Sequence, residues 1–256
     1  ANLPAVGKAW GQEIRDCLVV PDEKTQVLCG FDMVSLESTT KKHYMYPHDP
    51  AYVDEMSTEG FDEHLDLAKH AGYITQADID EYAQGTRPDV KEVRSKFKPA
   101  NYACVYGVKE TTLSRQTGMK KSECVTLINA YWDRNWAVKA VAKGIFTKET
   151  KDGKKWLKNP VSGFWYSLRY DKDIWSTTNQ GTGVYCFDKM IAIVRGKGIK
   201  FNGQFHDEGA YPVTKGSEAD NDKLLRSCVD KLNDQLKLNV PLDIDSQYGA
   251  TYGSVH

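Results

Sequence analysis

Thr25-Gln26-Val27-Leu28-Cys29-Gly30-Phe31-Asp32 is the stretch on which the architecture turns. Its middle is apolar and it ends on a carboxylate, the pattern of a buried strand that delivers one acid to a cleft. Downstream, Met33-Val34-Ser35-Leu36-Glu37 adds a second carboxylate. Residues 1–45 as a whole read as strand-rich. Residues 46–160 change character, read as mainly helical and contain no internal repeat. They are acidic early (Asp54, Glu55, Glu59, Asp62) and lysine-rich late (Lys148, Lys151, Lys154, Lys155, Lys158). Pro88-Asp89 predicts a helix start, because Pro suits a first turn and Asp suits the positive helix end. Val125, Leu127 and Ile128 predict a helix over residues 122–143. From residue 161 the pattern is mixed. A helix is expected near 183–194, then a hairpin over 199–213 with the turn signal Asn202-Gly203 near its start. An amphipathic helix over 220–236 carries Leu224, Leu225, Cys228, Val229 and Leu232 on one side, and a strand-like tail follows. Sheet, helical insertion, sheet is the expected order.

A chain of 256 residues with 40% hydrophobic and 27% charged residues can bury one large core or two small ones. That composition excludes disorder, collagen-like repetition and disulfide-stapled miniproteins. Lys plus Arg total 34 against 35 Asp plus Glu, so a basic coat-like protein is excluded while a locally charged nucleic-acid surface is not. Cys17, Cys29, Cys104, Cys124, Cys186 and Cys228 form no Cys-x-x-Cys pair, and several sit in apolar runs. They are expected to be reduced, in a cytoplasmic compartment. No apolar run approaches the roughly 18 residues of a membrane span, and Ala1-Asn2-Leu3-Pro4 lacks the regions of a signal peptide, so no membrane partner is expected.

Three places carry chemistry. The first is Asp32 with Glu37. The second is Arg94, Lys98 and Tyr102, spaced four apart; each helical step of four rotates by about 40°, so two cations and a phenol share one stripe. Arg and Lys are the residues suited to phosphate oxygens. Pro99, inside that helix, is expected to disturb the stripe. The third is Phe205-His206-Asp207-Glu208, whose adjacent acids point to opposite faces if the strand continues through them. Two-metal phosphoryl transfer needs carboxylates from separate segments, and hard oxygen ligands select magnesium-type ions. Alone, each place also reads as a strand cap, a solvated helix face or an ordinary surface loop. Their joint occurrence in this order distinguishes the chain.

In this order the three resemble the polymerase motifs of family A DNA polymerases, the bacterial polymerase I and bacteriophage replicative group. Asp32 to Glu37 resembles the first, Arg94-x3-Lys98-x2-Asn101-Tyr102-x3-Tyr106-Gly107 the second, and His206-Asp207-Glu208 the third. Asn2-Leu3, Asp62-x-His64, Tyr131-Trp132, Gln180-Gly181 and Gly249-x-x-Tyr252-x-x-x-His256 are weaker matches, the last with Tyr where Trp is usual in the phage enzymes. The resemblance spans essentially the whole chain.

It implies an α+β fold: an antiparallel-sheet palm (residues 1–45 and 161–256) with a mainly helical fingers insertion (46–160). The thumb and exonuclease domain are expected to be absent from this chain, and a second chain is expected to supply the thumb and possibly a 3′-5′ exonuclease. The implied activity is template-directed DNA synthesis from dNTPs on a primer-template, with two Mg2+ ions and Mn2+ as the alternative. Asp32 and Asp207, with the Met33 carbonyl, are implied metal ligands, and Glu208 a supporting carboxylate. Arg94, Lys98 and His64 are implied to hold the triphosphate, Lys98 to protonate pyrophosphate, and Glu37 to exclude a 2′-hydroxyl. Tyr102 is implied at the sugar, Tyr106 near the templating base, and Gln180, His206 and Asn101 at the DNA. Two alternatives remain open: a single-subunit RNA polymerase relative, opposed by Glu37 and His206-Asp207-Glu208, and a non-catalytic polymerase-like assembly subunit.

Overall fold

Apolar side chains at strand and helix periods organise the computed structural model, which describes residues 3–255. Asn2 and His256 lie outside them. In chain order the first elements are α1 (Gly11–Asp16), β1 (Gln26–Met33), α2 (Leu36–Met45), α3 (Pro50–Met56), α4 (Glu63–His70), α5 (Gln76–Ala83) and α6 (Val90–Val105). Next come α7 (Glu110–Thr117), α8 (Lys121–Arg134), α9 (Trp136–Gly144), β2 (Thr147–Glu149), β3 (Lys155–Lys158) and β4 (Trp165–Leu168). The chain continues through α10 (Ile174–Arg195), β5 (Gly203–Phe205), β6 (Glu208–Thr214), α11 (Glu218–Leu236) and β7 (Ile244–Gly249). Contacts gather the chain up to His43 and from Asn179 onward into one unit, and Tyr44–Thr178 into another.

The first unit is built on an antiparallel sheet in the order β5-β6-β1-β7. Side chains alternate across a strand, so β1 has two unlike faces. Cys29, Phe31 and Met33 are buried against Phe187, Met190 and Ile191 of α10 and Leu225, Cys228 and Val229 of α11. At about 1.5–3 kcal/mol per large apolar side chain, this face fixes the register of β1. Leu28, on the other face, joins a smaller cluster with Val20, Ala210, Tyr252 and Val255. Gly30 lets that cluster close: a Cβ there would stand 2.7 Å from Val255 Cγ2. The apolar side expected of α11 is its buried side, with Leu225, Cys228, Val229 and Leu232.

Three local expectations change here. Among the described residues, the stretch up to residue 45 holds one strand and two helices rather than several strands. The helix near 183–194 begins earlier, at Ile174. The hairpin turns on His206 and Asp207 rather than beside Asn202-Gly203, since Phe205 pairs with Glu208 and His206 takes a left-handed φ of 53°. A two-residue hairpin loop favours a positive φ at its first position.

In the second unit, helices α4 to α8 share a core that includes Leu65, Val90, Phe97, Leu113, Leu127 and Tyr131. The helix expected over 122–143 is two helices, broken at Asn135, whose buried side-chain amide donates to the Tyr131 carbonyl at 3.0 Å. Asp66 is buried and satisfied by Arg134, with Nε at 3.0 Å, while the guanidinium lies 3.7 Å from the centre of the Tyr52 ring. Beyond α9 the mainly helical expectation ends early, because β2, β3 and β4 form a three-stranded antiparallel sheet. Asp152-Gly153, with Gly153 at φ 77°, is a hairpin signal, and Trp156, Trp165 and Tyr166 favour strands.

All six cysteines are free thiols, Cys17 exposed and the others buried. Among the described residues no helix is long and apolar enough to cross a membrane.

Candidate active site

The sheet of the first unit assembles a row of carboxylates. Asp32 is the one exposed residue in the second half of β1, between buried Phe31 and Met33. Its cross-strand partners are Glu208 on β6 and Asp245 on β7. Directly opposed residues share a face, so Glu208, Asp32 and Asp245 stand side by side across three strands. Asp207 comes to them from the hairpin tip, where its carbonyl accepts from the Met33 amide at 3.2 Å. These four acids line one cleft of about 230 Å³, with Gly30, Phe31, Gln247 and Val255 along the rest of its wall. Acids 32 and 207, distant in the chain, therefore meet in one place. Asp245 was not anticipated from sequence. Its only sign there was the alternation Asp243-Ile244-Asp245, and its register against Asp32 is a property of the folded sheet.

Mutual repulsion is visible in the electrostatics. Burial raises the Asp32 pKa above the ordinary carboxylate value, and the charges of Asp245 and Asp207 add to it. Glu208 is pushed up to about 7, by burial first, against the opposing pull of Arg15, with Asp32 and Asp207 reinforcing the rise. Tyr252 donates its hydroxyl to Glu208 Oε1, and Arg15 lies 4.9 Å over the Tyr252 ring. Glu208 is thereby tied to the C-terminal turn, whereas the Asp207 side chain is 40% exposed and lies 3.2 Å from His206 Nδ1, in an ion-pair geometry. His206 itself is exposed at the tip.

Among the described residues no group of three or more His, Cys, Asp or Glu is arranged as a metal-ion coordination sphere. The donors nevertheless fit a hard divalent cation. They are all carboxylate oxygens, and directly opposed like charges in a sheet are destabilising without a counter-charge.

Glu37 and Gln180 also belong to this unit. Asn179 Nδ2 donates to the Glu37 carbonyl at 2.9 Å, and Gln180 Nε2 reaches Glu37 Oε1 at 3.5 Å, so two residues assigned separate tasks form a pair between α2 and α10. Met33 is buried at the end of β1.

The second unit carries the cationic stripe. Helix α6 continues through Pro99, and Lys98 and Tyr102 are both exposed, with Arg94 partly so. Asp62 is the N-cap of α4: one oxygen accepts from the His64 and Leu65 amides at 2.9 and 3.1 Å, and the other takes Arg94 Nε at 2.5 Å. Burial works against the Asp62 charge, but these hydrogen bonds hold its pKa below the ordinary value. Lys98 has no hydrogen bond or salt bridge among the described residues, which leaves its ammonium available to an anion.

The structure brings His64 to this stripe despite its distance in sequence. Its ring sits 5.5 Å from that of Tyr102, edge to face, and its Nδ1 lies 3.1 Å from Asn101 Nδ2. With the amide nitrogen donating, Nδ1 accepts and Nε2 carries the proton. Burial lowers the His64 pKa; Asp62 and Glu63 oppose this, and Arg94 and Lys98 reinforce it. Burial thus favours the neutral imidazole. Asn101, expected to face DNA, is instead buried and used to orient His64. Tyr106 is exposed at the end of α6, before Gly107 at φ 68°.

No family model matches the chain. It is 24% identical over 276 residues to DNA polymerase I of Bacillus caldotenax, an alignment that takes in 98% of this chain and 28% of that protein. Its fold is similar to that of the POL domain of Pol1 from M. smegmatis, solved in complex with DNA primer-template and dNTP. The TM-score is 0.71 at 20% identity, covering 99% of this chain and 44% of that one. The chain thus spans less than half the length of either relative. The structural likeness establishes the fold, the α+β arrangement of a polymerase domain.

Proposed function

We propose that this chain is the palm and fingers portion of a family A DNA polymerase and catalyses template-directed transfer of deoxynucleotides to a primer 3′-hydroxyl. The observation that carries this reading is the row Glu208, Asp32 and Asp245, with Asp207 joining it from the hairpin tip. The polymerase-domain fold and the similarity to a DNA polymerase I support it. In this reaction the 3′-oxygen attacks the α-phosphorus, a phosphodiester bond forms, and the bond to the departing pyrophosphate breaks.

Asp32 and Asp207, with the Met33 carbonyl, are the residues that would hold two magnesium ions, or manganese in their place. Bound there, the ions supply a lowered 3′-hydroxyl pKa and charge compensation for pyrophosphate. Glu208, anchored by Tyr252, supports this group from the side, and Asp245 completes the acidic face. On α6, Lys98 receives the triphosphate as an unpaired cation and is placed to return a proton to pyrophosphate. Arg94 does so from a position fixed by Asp62, and His64 donates a neutral Nε2–H. Tyr102 meets the sugar, Tyr106 the templating base, and Glu37, braced by Gln180, the side of the sugar from which a 2′-hydroxyl is excluded. Gln180 and His206 face the primer-template.

A second chain bearing the thumb completes the proposed enzyme, and the pattern from Gly249 to Tyr252 suggests a bacteriophage-type relationship. The test is primer extension on a labelled primer-template with Mg2+ and either dNTPs or rNTPs, with and without a candidate partner. Extension with dNTPs alone, enhanced by the partner, is expected. Extension with rNTPs would favour the RNA polymerase alternative, and none under any condition would favour a scaffold.

A further inference from the structure

The small sheet of the second unit has a solvent face that the reaction above does not use. Cross-strand pairing sets its composition. Lys148 pairs with Trp156 and Trp156 with Ser167, while Lys158 pairs with Trp165. Partners share a face, so these five side chains lie together. Phe146 joins them: its carbonyl accepts from the Lys158 amide at 3.0 Å, and its ring meets that of Trp165 at 5.8 Å, edge to face. The opposite face is the structural one, with Leu157 and Leu168 buried.

Two features of the solvent face are unusual together. Phe146 is 62% and Trp165 43% exposed, a large uncovered aromatic surface. Lys148 and Lys158 stand beside these rings and make no ion pair among the described residues. The neighbouring lysines differ: Lys154 is paired with Asp152 at 2.7 Å and Lys155 with Asp171 at 2.8 Å. Among the described residues of the sheet no acid lies on this face, because Glu149 pairs with Lys155 on the buried side. The face is thus two rows about 7 Å apart along the strands, each combining an aromatic ring with an uncompensated cation.

We propose that this face binds single-stranded nucleic acid, its bases stacking on Trp165, Phe146 and Trp156 and its phosphates held by Lys148 and Lys158. Every base offers a π-face, so aromatic side chains on a sheet bind single strands with little sequence preference, and flanking cations track the backbone. An apolar peptide would need a groove and would gain nothing from the two lysines. An acidic peptide would gain nothing from three flat rings. The proposal rests on the chemistry of this face and not on the polymerase reading.

The experiment is a fluorescence-anisotropy titration of a labelled 12-residue oligothymidylate with the full chain, without dNTP or primer. Trp165→Ala and Phe146→Ala are expected to weaken binding about fivefold or more each, in line with the loss of one stacked base. Lys148→Ala with Lys158→Ala should flatten the salt dependence by about 1.4 in slope, the value for two lost phosphate contacts on a single strand. Ser167→Glu, at an exposed position that contributes nothing to the core, should weaken binding without affecting folding. Asp32→Asn should leave the affinity unchanged, so loss of polymerase activity and loss of this surface are separable. Unchanged affinity in Ser167→Glu and in folded Trp165→Ala, or a blunt duplex bound as tightly as the single strand, would overturn the proposal.

Discussion

Asp32→Asn should stabilise the folded protein in EDTA while abolishing its stabilisation by Mg2+. In the structure Asp32 lies between Glu208 and Asp245 and, among the described residues, receives no hydrogen bond from another side chain. Directly opposed like charges each cost about 0.2–1 kcal/mol, so removing the central charge relieves two such pairs, or about 1 kcal/mol in all. For a chain of this size that corresponds to a melting temperature higher by about 2–4 °C. The assay is differential scanning calorimetry at pH 8, above the Glu208 value of about 7, so that Glu208 carries its charge. With Mg2+ at about 100 times its dissociation constant the wild-type protein should gain about 2.7 kcal/mol, and the variant far less. A variant that melts lower than wild type in EDTA, or that gains equally from Mg2+, would refute the reasoning.

Other consequences follow from packing and capping. Gly30→Ala forces a Cβ against Val255, at 2.7 Å from Cγ2, and should cost about 1–3 kcal/mol in urea denaturation. Combining it with Val255→Ala should cost less than the sum of the single losses, because the second change opens the space the first one needs. Asp62→Ala removes the α4 cap and should cost about 1–2 kcal/mol, whereas Asp62→Asn keeps the cap and loses only the charge facing Arg94. Because the folded Asp62 pKa lies below its unfolded value, its charge stabilises the fold above the unfolded pKa of about 3.9 and stops doing so as pH falls through the folded one. The stability difference between wild type and Asp62→Asn should therefore be constant above about pH 5 and shrink below pH 4, as urea titrations across that range would show.

Asp32 was legible in the sequence not from its own strand, where an acid ending an apolar run also reads as a cap, but from its occurrence with the Arg94-Lys98 stripe and His206-Asp207-Glu208; the structure leaves it exposed between two buried neighbours. The buried side of α11 was legible for the same reason, since its period is intrinsic to a single helix. What depends on register was not. Asp245 becomes a neighbour of Asp32 only when β7 pairs with β1, and nothing local to residues 243–249 states which strand they join. The turn at His206-Asp207 was hidden because His rarely takes a left-handed conformation, whereas Asn202-Gly203 is a strong but unused turn signal. Strands β2 to β4 are three or four residues long, too short for alternation to register against a lysine-rich background. Asn101 was misplaced because its hydrogen bond to His64 joins residues far apart in the chain, and burial of that kind leaves no periodic trace.

In the proposed reaction Asp32 and Asp207 act as one catalytic unit. Rapid-quench measurement of single-nucleotide incorporation by Asp32→Asn, Asp207→Asn and the double variant, with any required partner present, tests this directly. Each single change is predicted to slow incorporation by about a thousandfold or more, with the double change no worse, as for groups that work together. An Asp207→Asn protein that incorporates nucleotides at the wild-type rate would contradict it.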